Sequence, residues 1–113
     1  TEARRLPVHI RAGEGEFGPN ERDYIRRKLR TKLGKYERSL ERVSVRTGDV
    51  NGPRGSIDQL CRIKVVLRGL PSVLFESRDA SLHTAVDVAL SGVERAVRRT
   101  LQRRRMKPLR RAA

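Results

Sequence analysis

Leu82, Val86, Leu90, Val93, Val97 and Leu101 recur at steps of four and three, the spacing that gathers side chains onto one face of an α-helix. Ser81 offers an N-cap oxygen just ahead of them. At about 100° per residue, Arg95, Arg98 and Arg99 point away from this stripe, so the predicted helix buries one side and offers guanidinium groups on the other. Ala85, Ala89, Gly92 and Ala96 form a narrower stripe of small residues beside the first, suited to close packing against a neighbouring helix or a sheet. Past Leu101 the pattern fails, because Arg104 falls in the middle of the apolar stripe. Arg103, Arg104, Arg105, Lys107, Arg110 and Arg111 make a charge run interrupted by Pro108, so the packed helix is expected to end near Arg105 and leave 106–113 as a flexible basic tail.

Earlier in the chain the period changes. Thr1–Arg5 reads as a disordered start, and Pro7–Ala12 alternates as a first strand with Val8 and Ile10 inward. Gly13, Gly15, Gly18 and Pro19 break it into a loop, whose spacing is no phosphate-binding fingerprint because it lacks the Lys-Ser/Thr pair and carries Glu14 and Glu16. Asn20 is the expected N-cap of a first helix, with Glu21 and Asp23 in its first turn. Ile25, Leu29, Leu33, Tyr36 and Leu40 fall on one face of it, and Gly34 weakens its last turn. Arg42–Thr47 alternates as a second strand, and Gly48–Asp58, with Asn51-Gly52-Pro53-Arg54-Gly55, reads as a long connection. Cys61, Ile63, Val65 and Leu67 alternate with polar neighbours in the clearest strand, which Gly69–Ser72 turns into a fourth strand over Val73–Ser77. The order β-α-β-β-β-α, with strands wet on one face, predicts an α+β two-layer sandwich: a four-stranded sheet with both helices on one side.

Charge narrows the function. In 113 residues there are 27 Lys and Arg against 13 Asp and Glu, a formal charge of +14. A small domain needs a magnitude of only about 2–8 for solubility, so the excess points to a polyanion. Residues 1–105 are expected to form a single binding domain. The one cysteine, Cys61, cannot close an internal disulfide, and no apolar run approaches the roughly 20 residues of a membrane span, which makes the cytoplasm the expected compartment.

Catalytic chemistry does not assemble. His9, His83 and Cys61 are scattered without metal-ligand spacing, Cys61 shares the alternation of the buried strand residues, and His83 reads as a surface or RNA-facing ring. Asp87 and Glu94 stand two turns apart on a basic helix and are expected to pair with neighbours such as Arg98 rather than to act as acid and base. No metal, cofactor or small-molecule substrate is expected. What remains is a set of fixed cations, Lys28, Lys32 and Lys35 on the first helix and Arg95, Arg98, Arg99 and Arg103 on the last, which form one patch if the helices lie side by side. Arg62, Lys64 and Arg68 make the open sheet face basic as well. Phe17, Phe75, Tyr24 and Tyr36 all lie off that strand, so base stacking by the sheet is not expected.

The element order, the run Tyr24-Ile25-Arg26-Arg27-Lys28-Leu29 continuing to Leu33-Gly34-Lys35-Tyr36, and the runs Thr84-Ala85-Val86-Asp87 and Val93-Glu94-Arg95-Ala96-Val97-Arg98-Arg99 together resemble the ribosome hibernation-promoting factors, or ribosome-associated inhibitors, in their short form. The likeness spans roughly Val8 to Arg103. It implies a fold similar to a double-stranded-RNA-binding domain with an added first strand. It also implies a cytoplasmic, non-enzymatic translation inhibitor that occupies the messenger and transfer RNA channel of the small ribosomal subunit, probing ribosomal RNA with Lys28, Lys32, Lys35, Arg95 and Arg99, joined by Arg98 and Arg103, and monomeric off the ribosome. The family pattern often has Tyr where His83 stands, a basic residue at Gly92 and Gln at Ala96. A general double-stranded-RNA or nucleic-acid-binding module is the alternative that the same cations allow.

Overall fold

A computed structural model of the chain describes residues 6–12, 18–51 and 57–112, with side chains except those of 12 and 105–112. Its elements are β1 (Val8–Ala12), α1 (Pro19–Leu33), a 3-10 segment (Gly34–Ser39), β2 (Leu40–Asn51), β3 (Ile57–Leu67), β4 (Val73–Asp79) and α2 (Leu82–Ala112). The four strands form one sheet in the order β1-β2-β3-β4. β1 runs parallel to β2, with Val8 opposite Val43 and Ile10 opposite Val45, and α1 makes the crossover between them. The other two pairings are antiparallel. Both helices lie on one face, as the alternation requires. The expected disordered start and the loop of Gly13 and Gly15 lie outside the described residues, as does the centre of the β2–β3 connection.

The core fills the space between the layers. Val43, Val45, Cys61, Ile63, Val65 and Leu67 from the sheet meet Ile25, Leu29 and Leu33 of α1 and Ala85, Val86, Ala89, Leu90, Val93 and Val97 of α2, all buried. The stripe of small residues on α2 packs on the sheet: a Cβ added to Gly92 would stand 2.5 Å from the Phe75 ring of β4. The β3–β4 turn closes with Leu70 N–H donating to the Leu67 carbonyl, and Gly69 takes the positive φ of 68° that the turn demands.

Four boundaries differ from the sequence expectation. The first helix starts earlier: Gly18, not Asn20, is its N-cap, because Pro19 suits the first helical position, and Glu21 accepts a 2.8 Å hydrogen bond from the Gly18 N–H. That bond, reinforced by the amide of Glu21 itself, holds the Glu21 carboxyl below its ordinary range. The same helix yields at Gly34 to a 3-10 segment, so Leu40 is buried as the first residue of β2 rather than as the last of a helical stripe. β2 and β3 extend well into the expected connection, pairing as far as Asn51 with Ile57, since ladder hydrogen bonds are made by backbone whatever the side chains. Finally, α2 carries its helical backbone past Arg105 to Ala112.

A candidate nucleic-acid interface on the helix face

α1 and α2 lie side by side on the sheet and are tied across their seam by two carboxylates of α2. Tyr24 donates its hydroxyl to Asp87 at 2.8 Å, and Lys28 approaches the same oxygen at 3.7 Å. Two turns on, Tyr36 donates to Glu94 at 2.6 Å, with Lys35 at 3.6 Å and Arg98 at 3.3 Å from its carboxylate. Thus Asp87 and Glu94 act mainly between helices: the expected intrahelical pair, Glu94 with Arg98, exists, but it is one limb of a wider clamp. Glu94 is buried, and the hydrogen bond from Tyr36, with Arg98 and Lys35 beside it, holds its carboxyl below the usual range. Burial, and the carboxylate next to it, push the Tyr36 hydroxyl up to about 12.

This clamp sorts the seven candidate cations. Lys28, Lys35 and Arg98 gather along the seam, positioned by carboxylates that offset part of their charge. Lys32, Arg95, Arg99 and Arg103 are exposed, and none has a carboxylate partner among the described residues. Arg95, Arg99 and Arg103 follow one another at steps of four, each about 40° further round the helix, so the row winds outward from the seam instead of joining a single flat patch. The seam cations and the free ones therefore form adjoining groups. An open cleft between the 3-10 segment and α2 is lined by Lys35, Arg38 and Arg98 together with Tyr36 and Leu101, and it brings Arg38 to the site.

Two features were not legible from charge alone. His83 is exposed as expected, yet its ring stacks on Tyr24 at 4.1 Å with 14° between the planes, and Arg27 and Lys28 stand 6.0 and 5.7 Å from the Tyr24 ring. Adjacent positions on different helices carry no period that a single sequence displays. Arg104, which breaks the apolar stripe, reaches past the sheet to donate to the Arg68 carbonyl at 3.1 Å, securing the β3–β4 turn. Gly92 faces Phe75, so that position presents nothing to a ligand. Cys61 is buried, and burial pushes its thiol up to about 12, as befits a small core residue. Among the described residues no group of His, Cys, Asp and Glu is arranged to hold a metal, and no helix is long and apolar enough to cross a membrane.

A two-layer α+β domain with paired helices bearing exposed cations on their outer side belongs to the class of small basic binding domains. More narrowly, the chain belongs to the family described as Sigma 54 modulation protein / S30EA ribosomal protein, which matches residues 8–105. The crystal structure of the N-terminal domain of Protein Y from Thermus thermophilus is similar at 28% identity and a TM-score of 0.65, covering 85% of this chain and 98% of its own. A ribosomal subunit interface protein from Coxiella burnetii shares the fold, at 12% identity and a TM-score of 0.63 over 81% of this chain and 93% of its own. Among the curated proteins no match is found.

Proposed function

We propose that the protein is a non-enzymatic, cytoplasmic ribosome-binding factor that inhibits translation by occupying the messenger and transfer RNA channel of the small subunit. The observation that carries this reading is the set of exposed helix-face cations, Lys32, Arg95, Arg99 and Arg103, without carboxylate partners among the described residues of a member of a family of ribosomal proteins. Phosphates of ribosomal RNA would neutralise them, each contact releasing counterions. Lys28, Lys35 and Arg98 complete the surface from the seam. Inhibition is by occupation of space, so no reaction, cofactor or small substrate is involved, and one copy acts on one subunit.

The test is sedimentation with purified small subunits at physiological salt in the presence of excess unrelated structured RNA. Purely electrostatic binding is competed away, whereas a shaped site survives. Retention at one copy per subunit, abolished by replacing Lys32, Arg95 and Arg99 together with Gln in a protein that still melts normally, is the expected result. Loss of the native protein to competitor would reassign it as a general double-stranded-RNA binder, and normal retention of the triple variant would remove these cations from the site.

A further inference from the structure

The sheet has a second broad face that no helix covers, and its register is unusual in charge. Arg11 on β1 stands opposite Arg46 on β2, which stands opposite Arg62 on β3, and all three side chains are exposed. With neighbouring strands about 4.8 Å apart, the backbone positions of the three arginines fall within roughly 10 Å of one another. Lys64 lies two residues along β3 from Arg62, and Arg42 and Arg78 are exposed on the same face. Like charges directly opposite one another on a sheet destabilise it. Among the described residues only Arg62 has a counter-charge on this face, its Nε donating to Glu76 at 3.0 Å, and neither Arg11 nor Arg46 has a carboxylate partner there. The helix seam, by contrast, meets its lysines with Asp87 and Glu94. A row of cations across three strands is therefore a feature that the described residues of the domain do not satisfy and that an external polyanion would.

We infer that the open sheet face is a second surface for an RNA backbone, so that the domain holds RNA on both of its broad faces. The inference rests on the RNA-binding reading of the helix face, because the same polyanion supplies the partner. Phosphate is the group recognised: the planar forks of Arg11, Arg46 and Arg62 suit bidentate contacts to phosphate oxygens. Bases are not read, since Tyr24, Tyr36 and Phe75 belong to the helix layer or the inner face, and among the described residues the outer face carries no aromatic side chain other than the edge imidazole of His9.

The experiment is a two-colour capture. One structured RNA is fixed to beads, protein is added below one copy per RNA, and retention of a second labelled RNA is measured for the native protein, for Arg11→Gln/Arg46→Gln/Lys64→Gln, and for the helix-face triple variant described above. The sheet variant should still bind the fixed RNA but retain the second at least tenfold less, with the salt dependence of that second capture shallower by about 2–3, the share of three lost phosphate contacts. Its melting temperature at low salt should equal or exceed the native value, because repulsion has been removed. Glu76→Gln, which frees Arg62, should increase capture of the second RNA. Undiminished capture by the sheet variant overturns the inference and leaves the helix-face reading standing. Failure of the native protein to bind the first RNA overturns both readings, and preferential capture of a polyglutamate peptide or of anionic vesicles by the sheet face assigns it to another partner.

Discussion

Tyr36 and Glu94 make the pair in which one atom has the widest effect. The carboxylate is buried and depressed, so its contribution to stability is present above its unfolded value near 4.5 and is lost as pH falls through the lower folded value. The hydroxyl is raised, so its contribution is present below about 10 and is lost as pH climbs toward about 12. Tyr36→Phe removes a hydrogen bond to a charged group and should destabilise the domain by about 1.5–3 kcal/mol in urea unfolding at neutral pH. It should also flatten both flanks of the pH profile; an unchanged acid flank would mean that Glu94 is held by its cations alone. Gly92 is the other position where one carbon decides. Ala favours a helix by about 1 kcal/mol over Gly, but overpacking a core costs about 1–3 kcal/mol. A contact at 2.5 Å with the Phe75 ring makes the second effect the larger. Gly92→Ala should therefore melt lower, by about 4–8 °C for each net kcal/mol lost, and Phe75→Leu in the same chain should relieve it, a coupling that a double-mutant cycle measures.

Between elements, the seam opposes stability to binding. Glu94 locks α2 to the 3-10 segment that follows α1 while drawing charge from Lys35 and Arg98, two residues of the proposed surface. Glu94→Gln should lower stability by about 1.5–3 kcal/mol yet raise RNA affinity roughly two- to tenfold, since two cations are released toward phosphate. Fluorescence anisotropy beside a urea titration checks the pair of signs; affinity falling together with stability would show that the carboxylate is needed to aim those side chains. The elements themselves were largely legible. Alternation at Cys61–Leu67 and the steps of four and three from Leu82 to Leu101 state their structures outright, because burial on one face imposes the period. The ends were not: the halt of α1 at Leu33 depends on where Leu40 must enter the sheet, and the long arms of β2 and β3 depend on a partner strand, both facts of tertiary structure rather than of local sequence.

For the molecule as a whole, the identity of the helix-face cations was readable while their grouping was not. Charge and helical phase marked Lys32, Arg95 and Arg99 as outward. That Lys28, Lys35 and Arg98 share carboxylates required two helices, sixty residues apart in the chain, to be laid against each other. The same holds for the arginines of the sheet, whose row appears only once parallel and antiparallel registers are combined. The layered build has one further consequence. The Cα atoms span 56 by 37 Å across the layers but only 17 Å through them. A plate with such proportions is a spacer: anything resting on its helices is held at a fixed separation from anything resting on its strands. Were both broad faces engaged, the two partners would be kept apart by a distance set by one sheet and one layer of helices.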